Sequence, residues 1–268
     1  MLAIQKARDM PDAEVLVVLP TLGDRLETLR QTLESVNEQR KDLPITLVLV
    51  APPSATAARE LGASFGAVIV DDPKQGISAA INCGLAARTT EIYYAWIGDD
   101  DLIRPQGLVR LHALIDPRPD AVVAFGGCDY IDSQGRTIMV SNAGRLALIL
   151  LPWGPDLLPN PATLVRLDAL EAINGFDEDL KYALDLDAFL KLRAHGKFLW
   201  TRESVSAFRW HPDSLTVANR LPSSLESEAV KRRHLPIGLR SISPLWAYPI
   251  RWSSAFAAAR VNARARSL

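Results

Sequence analysis

The segment that decides the fold is Tyr93–Leu108, YYAWIGDDDLIRPQGL. Its opening apolar run, Tyr93–Ile97, reads as a short strand covered on both faces. The run passes directly into Gly98 and three consecutive aspartates, Asp99, Asp100 and Asp101. Pro105 then stands where a first helical turn begins, and Leu108, Leu111, Leu114 and Ile115 follow at helical spacing. Strand, acidic turn and helix in this order make one unit of an alternating α/β sheet.

Upstream the same alternation repeats. Val15–Leu19, Ile45–Val50 and Ala67–Val70 are further strands of the buried type. Between the first two, Asp24 stands three residues before Glu27, the spacing of a capping box. Leu26, Leu29, Leu33 and Val36 continue that helix, and Ile77–Arg88 predicts another. Such units predict a mostly parallel central sheet with helices on both faces. Ligands bind beyond the carboxyl ends of its strands, where the three aspartates fall.

Downstream the pattern is mixed. Ala121–Phe125 is strand-like, and Asp132–Gly135 predicts a hairpin turn into Thr137–Val140. Residues 152–161 carry four prolines and read as a loop able to border a pocket. Helices are expected over 166–173 and 185–194, and a strand over 197–209. A catalytic unit over 1–220 followed by an extension over 221–268 is the expected division. The extension is basic and aromatic: no acid follows Glu228, while Lys231, Arg232, Arg233, Arg240, Arg251, Arg260, Arg264 and Arg266 do.

The formal net charge of −1 over 268 residues gives no global electrostatic case for nucleic acid. Two cysteines, Cys83 and Cys128, form neither a disulfide framework nor a zinc spacing. The first residues lack the apolar core of a secretory signal, and no apolar run approaches the roughly 20 residues that span a bilayer. The expectation is a cytoplasmic protein. Arginines among Trp246, Tyr248, Trp252 and Phe256 suit peripheral contact at the inner face of a membrane, or packing on the domain or a partner.

Three adjacent carboxylates repel unless something positive sits among them. Hard oxygen donors suit Mn²⁺ or Mg²⁺, shared with substrate phosphates; capping of the helix near Pro105 is the plainer alternative. At 100° per residue, Asp185 lies at the edge of the apolar face set by Leu186, Phe189, Leu190 and Leu192. Asp187 is expected to point away, paired with Lys191. Asp185 is therefore the better base candidate, with a helix N-cap as the alternative.

Five blocks together resemble family 2 glycosyltransferases of the GT-A fold. They are residues 15–39 (VLVVLPTLGDRLETLRQTLESVNEQ), 76–88 (GISAAINCGLAAR), 93–108, 160–192 (containing GFDE and YALDLDAF) and 208–216 (FRWHPDSLT). The resemblance, over roughly 13–217, implies transfer of a sugar from a nucleotide-sugar donor to a saccharide or lipid-linked acceptor. It implies Pro20 and Thr21 along the nucleoside, Gly76 and Asn82 on the donor side, and Asp99 facing the ribose. Asp100 would bind the metal with Asp101 adjacent, and Asp185 would be the general base. His211 would add a metal or phosphate contact, or be a surface residue. Arg209 would meet the diphosphate or stack on its aromatic neighbours, and Trp153 would pack on a sugar or plug the core.

The resemblance further implies a single displacement with one base, and so inversion at the anomeric carbon. The sequence departs from the family at Ala51-Pro52, where relatives carry nucleobase-binding aspartates, at Ile81 in place of arginine, and at Gly98 in place of aspartate. Two other classes remain. A nucleotidyltransferase needs a glycine-rich phosphate loop after the first strand, which PTLGDR matches poorly. A degenerate nucleotide-sugar binder would lack the metal aspartates or the base, and both are present.

Overall fold

A computed structural model describes residues 13–142, 144–210 and 219–252, together with 256 and 259. Four parallel strands form one half of a nine-stranded sheet: β1 (Val15–Pro20), β2 (Ile45–Ala51), β3 (Val68–Asp71) and β4 (Tyr93–Trp96), in the order β3-β2-β1-β4. Val17 at the centre of β1 pairs with Leu47 on one side and Ala95 on the other. The other half is mixed. β8 (Thr163–Arg166) joins β4 and β6 (Ala121–Ile131) in antiparallel pairs, and β9 (Lys197–Arg209) runs parallel to β6. β5 (Leu102–Ile103) closes the β9 edge, and β7 (Thr137–Ser141) forms a hairpin with β6.

Because successive side chains of a strand face opposite ways, β1 feeds two cores. Val15, Val17 and Leu19 pack with Leu29, Leu33 and Val36 of α1 (Leu26–Gln39) and with Leu108, Leu111 and Ile115 of α4 (Gly107–Ile115). Leu16 and Val18 pack on the other face with Ala80 and Ile81 of α3 (Ile77–Leu85), α2 (Thr56–Ser64) lying between β2 and β3 in the chain. That core continues through α5 (Arg145–Leu150), α6 (Leu167–Ala172) and α7 (Leu184–Leu192). The chain then enters α8 (Arg220–His234), the short α9 (Ile237–Arg240) and further helical residues at 244–252. The α/β fold with helices on both faces of the sheet is as the sequence predicts.

Gly84 shows why α3 sits where it does. A Cβ there would lie 2.4 Å from Val18 Cγ1 and 3.1 Å from Val50 Cγ2, so glycine lets the helix approach β1 and β2 closely.

Several local expectations are corrected. Asp24 does not cap α1: the N-cap position is Arg25, and no side chain bonds the first turn. Pro105 does not open α4, because Gln106 adopts φ 62° and the helix starts at Gly107. The helix expected from 166 begins at Leu167, since Arg166 still pairs as β-strand with Tyr93. The helix from Ile77 stops at Leu85. Among the described residues no helix is long and apolar enough to cross a membrane.

Candidate active site

The carboxyl ends of β1 and β4 lie side by side, and the site is built on them. Thr21 extends the sheet by donating its N–H to Val50 O at 2.9 Å. Its hydroxyl accepts the Gly23 N–H at 3.0 Å and donates to Asp99 Oδ2 at 2.6 Å. One buried threonine thus ties the turn after β1 to the acidic turn after β4. Burial raises the Asp99 pKa, while the Thr21 hydroxyl and Arg25 pull against it.

Arg25 reaches Asp100 Oδ2 at 2.5 Å and lies 3.6 Å from Asp99 Oδ1. Asp101 faces the interior: Oδ1 accepts the Arg209 N–H at 2.9 Å, and Thr32 donates to its carbonyl at 2.7 Å. Burial, reinforced by the Asp100 charge, pushes its pKa well up. Gly98 leaves space for this folding. A Cβ there would stand 3.1 Å from Asp100 Oδ1 and 3.3 Å from Asp101 Oδ2.

Arg209 is 3% exposed, and its guanidinium bonds protein acceptors. Nε donates to Asp100 O, Nη1 to Asp132 O and Ser133 O, and Nη2 to the Gln31 side chain, all within 2.8–3.1 Å. The aromatic neighbours Phe208 and Trp210 pack instead with Tyr130.

The second half of the site is attached through α3. Gly76, at φ 110°, opens this helix in a conformation suited to glycine. Ser78 Oγ donates to Leu180 O at 2.8 Å. Asn82 donates to Phe176 O at 2.8 Å and Glu178 Oε1 at 2.9 Å, and accepts the Phe176 N–H at 3.0 Å. The helix that opens at Gly76 therefore holds the GFDE loop and the turn leading to Asp185.

Asp185 lies in the first turn of α7, its Oδ1 accepting the Leu186 N–H at 2.8 Å. Burial, then the charge of Asp156, pushes its pKa up to about 7. Asp156 belongs to the proline-rich loop and is itself raised by burial, with Lys231 of α8 opposing. Lys231 Nζ donates to Gly154 O at 2.5 Å. Trp153 in that loop is half exposed, its Nε1 donating to Ile149 O at 2.8 Å, so it does not plug the core.

Asp187 corrects the sequence reading. It is 1% exposed, paired with Lys191 at 2.7 Å as expected but also with Arg233 at 2.6 Å and His234 at 2.7 Å. Docking of α8 covers the face of α7 that helical periodicity leaves to solvent. Pro20, Thr21, Asp99, Asp100, Asp101 and Arg209 are thus brought together, and Gly76 and Asn82 are linked to the Asp185 turn. His211 lies outside the described residues. No motif marks Asp156, Lys231 or Glu226 of α8, whose charge also raises the Asp185 pKa; Arg25 stands one residue past the PTLGD turn. Among the described residues no three His, Cys, Asp or Glu side chains converge as a closed metal site.

Residues 16–163 match the family model described as glycosyl transferase family 2. The chain belongs to glycosyltransferase family 2. An uncharacterized glycosyltransferase of Rickettsia typhi is 23% identical over 225 residues, covering 81% of this chain and 70% of the relative. One of Rickettsia prowazekii is 21% identical over 211 residues, covering 75% and 65%.

Solved structures of similar fold include Staphylococcus aureus TarS with UDP-GlcNAc, at TM-score 0.63 and 16% identity. The match covers 82% of this chain and 65% of TarS, so the chain spans less than two thirds of that protein. A Pyrobaculum calidifontis mannosyltransferase with GDP-Man and Mn²⁺ matches at TM-score 0.61 and 16% identity, covering 96% and 81%. Glucosyl-3-phosphoglycerate synthase of Mycobacterium tuberculosis with Mn²⁺, UDP and phosphoglyceric acid matches at 0.59 and 15%, covering 85% and 81%. These likenesses give the GT-A fold.

Proposed function

We propose that this family 2 glycosyltransferase moves a sugar from a nucleoside-diphosphate sugar to an acceptor hydroxyl, with a divalent cation and with inversion. The observation that carries the proposal is the acidic turn Asp99–Asp101, tied by Thr21 to the end of β1 and facing the cationic Arg25.

The residues fit Mn²⁺ or Mg²⁺. Sites that bind these ions with a nucleotide take one or two carboxylates and complete the shell with phosphate oxygens and water. Asp100, with Asp101 folded over the same turn, offers that donor set. A bound cation supplies neutralisation of the leaving diphosphate. Thr21 and Asp99 orient the nucleoside, with Pro20 beneath and Gly76 and Asn82 framing the sugar side. Arg209 acts as a positioning residue that holds Asp100 and Asp101 through its own main and side chains.

Asp185 accepts the proton of the acceptor hydroxyl as the acceptor oxygen bonds the anomeric carbon. The bond from that carbon to the diphosphate breaks and the nucleotide leaves with the electron pair. A carboxyl whose pKa is about 7 suits this work near neutrality. The acceptor is proposed to be a saccharide or a lipid-linked group of the cell envelope, met in the cytoplasm at the inner face of the membrane. Exposed Leu245, Tyr248, Trp252 and Phe256, in a segment without acids, support that contact.

A thermal-shift panel of nucleoside diphosphates and nucleotide-sugars, with and without Mn²⁺, tests the donor half. Stabilisation by one nucleotide class that is lost in Asp100→Ala is expected. Stabilisation indifferent to both Mn²⁺ and Asp100 would sink the assignment. Product stereochemistry read by NMR tests inversion, and a retained configuration overturns it.

A further inference from the structure

The turn that leads into α7 is held by a residue from outside the helix. α7 begins without a side-chain cap of its own at Ala183. The three successive amides before it converge on Glu226 of α8. Oε1 accepts the N–H groups of Lys181 at 3.1 Å, Tyr182 at 2.6 Å and Ala183 at 2.7 Å, while Oε2 lies 3.2 Å from Lys181 N. Ser78 of α3 grips the adjacent Leu180 carbonyl from the donor side. The turn is thus fixed between α3 and α8, two residues ahead of Asp185.

We propose that Glu226 is a positioning residue for Asp185, and that α8 is part of the acceptor half of the site. The inference rests on Asp185 being the base of the proposed transfer. Three backbone donors aimed at one carboxylate define the path of the turn far more tightly than water would. They also fix where the first turn of α7, and hence the Asp185 carboxyl, projects. Other contacts of α8 hold it to the neighbouring elements: Arg233 and His234 reach Asp187 on α7, and Lys231 reaches the loop that carries Asp156.

Glu226 also acts on Asp185 through charge. The groups facing Asp185 are Asp156 from the proline-rich loop and Glu226 from α8, both raising its pKa, with burial the larger cause. Lys231 faces Asp156, and Asp187 on α7 is paired with Lys191 and Arg233 and bonded to His234. Removing the Glu226 charge therefore moves the Asp185 midpoint down from about 7.

The test compares full-length wild type, Glu226→Gln and Glu226→Ala. Amide hydrogen exchange is read at residues 181–183, the Asp185 carboxyl is titrated by carbon-13 NMR, and kcat and donor KM are measured against pH. In Glu226→Ala the three amides should exchange at least about tenfold faster. Its kcat should fall roughly tenfold or more with donor KM unchanged, as expected when a base is misplaced. Glu226→Gln should keep most of the protection, because its carbonyl oxygen still accepts, yet show a lower Asp185 midpoint and acid limb. Unchanged exchange and an unchanged Asp185 titration in Glu226→Ala would overturn the proposal. If that variant fails to fold, an Asp185 midpoint in Glu226→Gln equal to wild type overturns it instead. Absence of transfer by wild type with every nucleotide-sugar would remove the transferase reading, while exchange and titration still decide the role of Glu226.

Discussion

Arg25 Nη1 sits 2.5 Å from Asp100 Oδ2, joining the N-cap of α1 to an acidic turn 75 residues away. The pair places a positive charge where three neighbouring carboxylates need one. It is also where a cation shared with a diphosphate would bring its charge. On the proposed function, Arg25 and the bound cation compete for Asp100.

Replacing Arg25 by alanine should strengthen Mn²⁺ binding to the nucleotide-free protein. A partly exposed pair of this kind contributes up to about 1 kcal/mol, so the dissociation constant should fall by roughly fivefold or less. Calorimetric titration with Mn²⁺ alone reads the effect. Weaker Mn²⁺ binding in Arg25→Ala would show that the guanidinium does not compete at Asp100.

Asn82 makes three side-chain bonds to the GFDE loop, and its loss should be costly. In Asn82→Ala the Phe176 N–H and C=O lose their partner, at about 1–3 kcal/mol. Urea unfolding should show a lower midpoint with an unchanged slope. A shift under about 0.5 kcal/mol would mean that water replaces these bonds.

Much of this architecture was legible because buried strands announce themselves. VLVVL and ITLVLV read as strands covered on both faces, as β1 and β2 are, and Gly98–Asp101 follows the end of a third. Asp187 was misread for a physical reason. Periodicity tells which face of α7 meets its first neighbour, but not that α8 later covers the opposite face. The hydropathy of Arg220–His234 carries no apolar stripe, since that helix docks through Glu226, Lys231, Arg233 and His234, with Val230 the apolar residue it buries in the core. β5 is two residues long and exists through its pairing with β9, which no local pattern encodes.

The C-terminal segment should bind anionic vesicles. Ile237 is 82% exposed, Leu245 and Trp252 77% each and Phe256 67%, and Leu245, Trp252 and Phe256 recur at helical spacing. Arg251 is held by Glu228, which fixes the opposite side of this segment against α8. Cosedimentation with phosphatidylglycerol-containing vesicles at low salt should exceed that with neutral vesicles and weaken as salt rises. Trp252→Glu should reduce it several-fold. Equal recovery with both vesicle types, or none with either, would remove the membrane assignment.

As the proposed base, Asp185 should link activity and stability to pH with opposite signs. Its pKa is about 7 in the fold, against about 3.9 in an unfolded chain. As pH rises from about 4 to about 7, the unfolded chain ionises freely while the folded carboxyl keeps its proton. The stabilising contribution is therefore complete below about pH 4 and lost above about pH 7. Catalysis runs the other way, because a base must be ionised: kcat should fall below about pH 7 with a slope of one proton. Asp185→Asn removes both effects together. It should abolish transfer, melt higher than wild type at pH 8 by the equivalent of up to about 4 kcal/mol, and show no gain at pH 4. Melting temperatures at the two pH values and a kcat profile check this. Wild-type transfer that stays at full rate down to pH 5 would mean that another group takes the acceptor's proton.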